Sequence, residues 1–226
     1  THQSTPSTEI MAPITQYSAE IQDPNNISEI MANAFEASQD ARKGAAFVSL
    51  PQDVDDAEVT EKPLPIYETP KMGPADPNDL QKLVELIKNS KMPVILVGQR
   101  GADEEITTAL RKLLSDYLLP VVETYQAAGV VSRDLEQQSY FGRIGLFRNQ
   151  VGDQLLQQSD LVIAVGYDPI EYEPRNWNKE GNLRIVNLDT LPAQIDNHYT
   201  PIMQLVGNIA TSLTELDKLL KGYEYP

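Results

Sequence analysis

The feature that most constrains this chain is a series of short apolar runs that follows residue 76. The runs are five or six residues long and lie at 93–97, 120–124, 161–166, 184–189 and 202–206. Strands that are apolar on both faces belong in a parallel sheet that helices cover on both sides. The sequence therefore predicts that residues 76–221 form a doubly wound, Rossmann-like α/β domain with a parallel sheet of about five or six strands.

The segments between these runs have the pattern of amphipathic helices. Apolar residues recur at three- and four-residue spacing after Asp76, Asp103 and Asn208. Asp76 precedes a proline that fits the first helical position, and Asn208 is a good N-cap. The stretch 125–150 has no such period and is rich in Gly and Arg, so it is predicted to be a long loop before a short helix.

The N-terminal part of the chain predicts only one helix and one strand. Apolar residues from Ile27 onward have helical spacing, with Asn26 as the expected cap and Gly44 as the expected end. The run AAFVSLP then reads as a buried strand. A lone helix and strand cannot bury their apolar faces, so this remnant is expected to belong to a sheet whose other strands are missing. The proline-rich and acidic segment 55–75 is predicted to be a linker.

Composition excludes several classes of function. The chain has 18 basic and 33 acidic residues, a formal charge of −15, two histidines and no cysteine. It can form neither a disulfide nor a thiolate zinc site, and its negative charge disfavours nucleic acids and anionic membranes as partners. No run approaches the ~18 apolar residues of a membrane span. Because it opens without Met and without a signal peptide, we expect a piece of something longer. The acidic charge and the absence of cysteine fit a cytoplasmic protein.

Residues that follow the predicted strands are candidates for a ligand site, because ligands of open α/β sheets bind beyond the carboxyl ends of the strands. Gly98 and Gly101 precede a helix and could form either a phosphate cradle or a structural turn. Asp189 ends a strand and could bind a ribose or simply form a turn. The glycine spacing lacks the full dinucleotide fingerprint, so both alternatives stay open.

Two loops also concentrate unusual residues. The segment YFGRIGLFRNQVGD at 140–153 includes Arg143, Arg148 and Gln150, and its glycines would allow close approach of a ligand or partner. The alternative is a loop held by salt bridges to acidic residues. The segment YDPIEYEPRNW at 167–177 contains the chain's one Trp and is expected to be an ordered loop fixed by aromatic packing.

Several segments carry a resemblance to a known family. They are THQS, ITQYSAEIQDP, GAAFVSLPQDV, VETYQAAG, SRDLE, YFGRIGLFRNQVGD and IAVGYDPIEYEP. Together they closely resemble the catabolic acetolactate synthases, which depend on thiamine diphosphate, from residue 1 to about residue 210. Gln52 in LPQDV favours the catabolic branch over the biosynthetic one. The resemblance implies that residues 1–54 end a pyrimidine-binding domain, 55–75 are a linker and 76–226 are the central α/β domain.

The resemblance also implies a function. The longer enzyme would decarboxylate pyruvate and join the product to a second pyruvate, giving 2-acetolactate and CO2. Thiamine diphosphate and Mg²⁺ would be bound mainly by missing domains, and the longer chain would form a homodimer or homotetramer. This chain would then be structural and inactive by itself, with no catalytic residue and no metal ligand of its own.

The same resemblance assigns roles to a few residues. His2 and Gln3 would line the substrate end of the active site. FAD, which the biosynthetic relatives hold in the central domain, is not expected to be required here, and a vestigial cofactor cleft would be bordered by Gly98, Gly101, Arg148, Gln150 and Asp189. The alternative function is an autonomous module that binds a nucleotide such as FAD or NAD.

One sequence motif resembles a magnesium diphosphate site but is not expected to bind a metal. Gly152 and Asp153, followed by Asn176 and Asn178, mimic the GD…N spacing that holds magnesium diphosphate in thiamine diphosphate enzymes. That motif needs its Asp at the end of a buried strand, whereas Asp153 here opens a predicted helix. We therefore interpret these residues as structural.

Overall fold

The computed structural model describes residues 5–65 and 70–225, and the chain divides into two units, Thr1–Lys71 and Met72–Pro226. None of the helices in these described segments is long and apolar enough to cross a membrane. Each unit has a sheet of its own.

In its described residues, the first unit has a two-stranded parallel sheet and three α-helices. In chain order its elements are α1 (Ser7–Met11), β1 (Tyr17–Glu20), α2 (Ile27–Gln39), β2 (Ala46–Ser49) and α3 (Gln52–Asp55). Strands β1 and β2 pair in parallel along their full length. The helix and the strand predicted for this region are therefore present, but β1 supplies a partner strand that the sequence pattern did not reveal.

The ends of α2 differ from the prediction. A short 3₁₀ turn, Pro24–Asn26, leads into the helix, and Asn26 already has helical dihedral angles, so its side chain makes no capping hydrogen bond. The helix ends at Gln39 rather than at Gly44. Gly44 instead permits close approach of Gln16, because a Cβ at position 44 would lie 2.6 Å from the Gln16 Cγ atom.

The second unit contains a sheet of six parallel strands in its described part. The strands are β3 (Pro93–Val97), β4 (Val121–Thr124), β5 (Tyr140–Ile144), β6 (Leu161–Val165), β7 (Ile185–Asp189) and β8 (Met203–Val206). Their spatial order is β5-β4-β3-β6-β7-β8. The first strand in sequence, β3, thus has β4 on one side and β6 on the other, and the strand order reverses between β3 and β6.

Helices cover both faces of this sheet. They are α4 (Pro77–Lys88), α5 (Glu104–Tyr117), α6 (Val151–Gln158) and α7 (Ile209–Leu219). Alternate residues of the strands enter two cores: Ile95 joins the helical residues of α4, α5 and α7, whereas Leu96 packs in a second core with Leu156 of α6. The doubly wound α/β prediction is confirmed, and the apolar character of both strand faces reflects these two cores.

Capping residues start α4 and α7 as the sequence predicts, whereas the Asp103 side chain before α5 makes no capping hydrogen bond. The Asp76 carboxylate accepts hydrogen bonds from the N–H groups of Asn78 and Asp79. The Asn208 side chain accepts one from the N–H of Thr211 at 2.9 Å. These bonds satisfy donors that the first turn of a helix leaves without partners.

Strand β5 lies inside the segment that was predicted to be a loop. Its residues alternate between partial and greater exposure before the buried Ile144, because it is the edge of the sheet. The register against β4 shifts by one residue between the pairs Val121–Tyr140 and Glu123–Arg143. Gly142 has φ +95° at this irregularity, a conformation that favours glycine. A bulged edge strand with glycines lacks the uniform apolar pattern of the central strands.

Candidate functional site

The point where the strand order reverses is the expected ligand crevice of this fold. The Gly98–Gly101 turn follows β3, and Gly166 and Tyr167 follow β6 beside it. Hydrogen bonds join the two connections: Arg100 N–H donates to the Gly166 carbonyl oxygen at 3.0 Å.

The glycines allow these two connections to touch. A Cβ on Gly98 would lie 2.4 Å from the Tyr167 Cα atom, and one on Gly166 would lie 2.3 Å from the Gly101 nitrogen. Gly166 also has φ +58°, where a side chain is strained. Of the two interpretations of Gly98 and Gly101, the geometry therefore supports a structural turn that packs against the neighbouring loop.

A carboxylate of the chain itself accepts hydrogen bonds from backbone donors of this crevice. The Gln99 N–H lies 2.9 and 3.0 Å from the two Glu171 carboxylate oxygens, and the Asp168 N–H donates to Oε1 at 3.0 Å. The Thr124 hydroxyl, at the end of β4, donates to Oε2 at 2.6 Å. The backbone donors of this crevice are therefore already used by Glu171.

Asp189 is engaged in a similar way by Arg100. The guanidinium Nε lies 3.0 and 3.1 Å from the two Asp189 oxygens, and its terminal nitrogens contact Asp189 and Asp168 at 2.7 Å each. Burial lowers the pKa of Arg100, but hydrogen bonds and charge attraction from Asp189 and Asp168 outweigh it, so the net pKa is raised. The Asp189 side chain is only 1% exposed, and this ion pair, rather than a ribose, satisfies it.

Arg148 and Gln150 lie in the connection between β5 and α6. The side chain of Gln150 forms a reciprocal capping box with Asp153 at the start of α6. Arg148 lines a basic surface pocket together with Asn149, Arg175, Asn176 and Lys179. Within the described part of the chain, no hydrogen bond or ion pair connects Arg148 or Gln150 to Gly98, Gly101 or Asp189. The structure thus brings together three of the five residues that were assigned to one cleft.

The loop at 140–153 was expected either to approach a ligand or partner or to be held by salt bridges, and its two arginines differ in this respect. Arg143 Nε donates to the Glu123 carboxylate at 2.7 Å, and Glu123 is itself buried in β4. Tyr140 also donates to Glu123, at 2.9 Å. The salt-bridge interpretation is correct for Arg143, whereas Arg148 makes no ion pair within the described segments.

The segment at 167–177 is an ordered loop fixed by aromatic rings, as predicted. Trp177 is fully buried, with its ring centroid 5.9 Å from that of Tyr167 and 6.3 Å from that of Tyr199. The Tyr167 hydroxyl donates to the Tyr172 carbonyl, and the Trp177 indole donates to the Tyr167 oxygen at 3.3 Å. This packing holds Glu171, which lies in the same loop, against the ends of the strands.

Comparison with known proteins assigns the family. Residues 80–216 match the family model described as the thiamine pyrophosphate enzyme, central domain. The chain belongs to this family. The matched segment lies within the second unit of the structure and runs from the first turn of α4 to the last turns of α7.

Curated relatives of this central domain extend the similarity to nearly the whole chain. An acetolactate synthase of Bacillus subtilis (strain 168) is 48% identical over 217 residues, which are 96% of this chain and 38% of that protein. A catabolic acetolactate synthase of Raoultella terrigena is 37% identical over 95% of this chain and 38% of its own length. The chain therefore spans about 38% of the length of the curated relatives it matches.

Solved structures show the same fold at lower identity. The crystal structure of benzoylformate decarboxylase from Polynucleobacter necessarius has a TM-score of 0.77 at 19% identity, covering 97% of this chain and 41% of that one. A thiamin diphosphate-dependent enzyme from Mycobacterium smegmatis has a TM-score of 0.75 at 20% identity, with 95% and 41% covered.

Two residues of the GD…N pattern make hydrogen bonds within the second unit. Asp153 is buried in the first turn of α6, where it accepts a hydrogen bond from the Gln150 N–H at 2.8 Å. Burial raises the pKa of its carboxyl above the ordinary value. The Asn178 amide donates to the His198 carbonyl at 2.7 Å. These hydrogen bonds satisfy Asn178 and one oxygen of Asp153, whereas the buried Asp153 Oδ1 has no hydrogen-bond partner among the described residues.

Two residues of the crevice were missed by sequence reasoning. Glu171 is one acid among 33 and Arg100 one base among 18, and nothing in their local spacing marks them. The available signal was position, because each follows a buried strand on one side of the strand-order reversal. His2 and Gln3, the residues assigned to the active-site lining, lie outside the described residues.

Proposed function

We propose that this chain is the central-domain region of an acetolactate synthase that decarboxylates pyruvate and condenses it with a second pyruvate to give 2-acetolactate and CO2. The observation that carries this proposal is the 48% identity to the Bacillus subtilis acetolactate synthase over 96% of this chain. The similarity to the catabolic enzyme of Raoultella terrigena supports the catabolic branch.

The role of this region in the proposed enzyme is structural. Among the residues that the structure describes, no group of three or more His, Cys, Asp or Glu side chains is placed to hold a metal ion. By the family resemblance, thiamine diphosphate and Mg²⁺ are assigned to other parts of the longer enzyme. The chain by itself is expected to form no acetolactate.

The nucleotide alternative has little physical support. Glu171 uses the backbone donors of the crevice, and Arg100 uses both oxygens of Asp189. A flavin or nicotinamide dinucleotide would have to displace both groups. We therefore assign no FAD to this domain.

The remaining parts of the proposal rest on the resemblance. Residues 1–54 are assigned to the end of a pyrimidine-binding domain, 55–75 to a linker and 76–226 to the central domain. His2 and Gln3 are assigned to the lining of the active site. The enzyme is proposed to be a cytoplasmic homodimer or homotetramer.

The proposal is tested with a chimeric enzyme that contains this chain. In the Bacillus subtilis relative, the matched segment is replaced by this chain, and acetolactate formation from pyruvate is measured with thiamine diphosphate and Mg²⁺ present. We expect the chimera to be active and the isolated chain to be inactive under the same conditions. A folded chimera that binds thiamine diphosphate but makes no acetolactate would contradict the central-domain assignment. Turnover by the isolated chain would contradict its structural role.

A further inference from the structure

At the strand-order reversal, the Glu171 carboxylate accepts hydrogen bonds from the ends of three neighbouring strands. Three residues at the ends of three neighbouring strands donate to the Glu171 carboxylate: Thr124 at the end of β4, Gln99 after β3 and Asp168 after β6. These donors converge on a single carboxylate, and each bond is between 2.6 and 3.0 Å long. The arrangement has the form of an anion cradle rather than a surface contact.

In the described part of the chain, neutral N–H and hydroxyl donors hold the Glu171 carboxylate, and no cation does. Within the described part of the chain, no Lys, Arg or His pairs with Glu171, and Arg100 directs its guanidinium to Asp168 and Asp189. Backbone N–H groups that converge beside a strand end form the kind of concavity that binds phosphate and other oxyanions. The chemistry of the donors therefore suits any small oxyanion of the right size.

The backbone around the carboxylate is shaped to admit it. A Cβ on Gly98 would lie 2.7 Å from the Glu171 Oε1 atom, so any side chain at position 98 would collide with this oxygen. Glu171 itself is half-buried, so the space left by a shorter side chain would be open to solvent on one side. A small ion could therefore enter the site from solution.

We propose that Glu171 is the internal ligand of an oxyanion site, that it excludes phosphate-bearing ligands from the crevice, and that its removal exposes a site for inorganic phosphate. The proposal concerns only the second unit and does not depend on the enzymatic function proposed above. The unpaired donors left by removal would lose hydrogen bonds to a charged acceptor, and an oxyanion would restore them.

The test compares Glu171→Ala with the unchanged chain by scanning calorimetry, in sodium phosphate and in sodium chloride of the same ionic strength. For the variant, the apparent folding constant should rise about 100-fold at a phosphate concentration of 100 times Kd, with saturation. The unchanged chain should show no such rise. Glu171→Gln, which keeps the crevice filled, should also fail to respond.

The matched control is Glu173→Ala, because Glu173 lies two residues away and forms only an exposed ion pair with Arg175. A response of this control equal to that of Glu171→Ala would overturn the proposal, as would a folded Glu171→Ala chain that phosphate does not stabilise. If Glu171→Ala does not fold in chloride, it is diluted from urea into phosphate. Recovery of the folded state there supports the proposal, and failure in both salts refutes it.

Discussion

Single residues in the second unit show how carboxylates serve as acceptors for backbone N–H groups. Asp160, just before β6, accepts hydrogen bonds from the Ser90 hydroxyl at 2.8 Å and from the N–H groups of Lys91 and Met92 at 2.7 and 2.9 Å. Burial raises the pKa of the Asp160 carboxyl, but these hydrogen bonds outweigh it and the net pKa is lowered. One side chain thus ties the connection between α4 and β3 to the start of β6.

Replacing Asp160 by Asn should destabilise the second unit by roughly 1–3 kcal/mol near neutral pH, because a charged acceptor is lost. The folded pKa of Asp160 is below the unfolded value of about 3.9. Its stabilisation is therefore complete above that value and disappears as the pH falls through the folded pKa. Urea unfolding followed by circular dichroism should show a difference near neutral pH that closes in acid.

The exposed residue Asp134, for which the structure gives no hydrogen bond or ion pair, provides the control as Asp134→Asn. This substitution should change the free energy of unfolding by less than about 0.5 kcal/mol. A loss for Asp160→Asn that persists unchanged in acid would show that charge is not the cause.

The sequence could identify the place of the candidate site but not its main residue. Gly98, Gly101 and Asp189 follow predicted strands, and the structure does bring them to one crevice. Glu171 could not be chosen from sequence, because its role depends on donors from three strand ends that are distant along the chain. Its selection requires the strand order, which local patterns do not specify.

Among the elements, the buried strands of the second unit are the ones that the sequence predicts well. Strands β3, β4, β6 and β7 are buried along their whole length. Their bounds, and those of β8, agree with the prediction within about one residue. Strands β1 and β5 were missed for physical reasons. Neither contributes a fully buried apolar run, and β5 is an edge strand with a bulge at Gly142.

Replacing Asn208 by Ala should weaken the start of α7 and destabilise the second unit by about 0.5–2 kcal/mol. The side chain satisfies the Thr211 N–H, which has no other partner in the first turn. Thermal unfolding followed by circular dichroism measures the effect. Asn78→Ala is the matched control, because Asn78 lies exposed in the first turn of α4 and contributes only its backbone N–H to the cap. Equal losses for both variants would argue against a capping role.

At the scale of the whole molecule, the chain contains two units with separate sheets, and both apolar cores described above lie in the second unit. Residues 55–65 of the first unit are exposed, and from Ala57 onward they form neither helix nor strand. Exposed segments without regular structure are preferred sites of proteolysis. Residues in the sheet of the second unit are protected from proteolysis because they are buried between its two cores.

A Glu-specific protease should therefore cut early after Glu58 or Glu61 and leave the second unit intact. Mass spectrometry of the products at short times checks this expectation. Glu123 is the internal control, because it is buried in β4 and should resist cleavage until the unit unfolds. Cleavage after Glu123 as early as after Glu58 or Glu61 would contradict the division into these units.

The aromatic cluster described above also makes the second unit observable by itself. Trp177 is the chain's single tryptophan, and it is fully buried against Tyr167 and Tyr199. Its intrinsic fluorescence should shift to longer wavelength only when this unit opens to water, while the first unit remains spectroscopically silent at the indole band. If the two units unfold independently, the loss of the helical circular dichroism signal and the red shift of the Trp177 emission should occur at different times or at different denaturant concentrations.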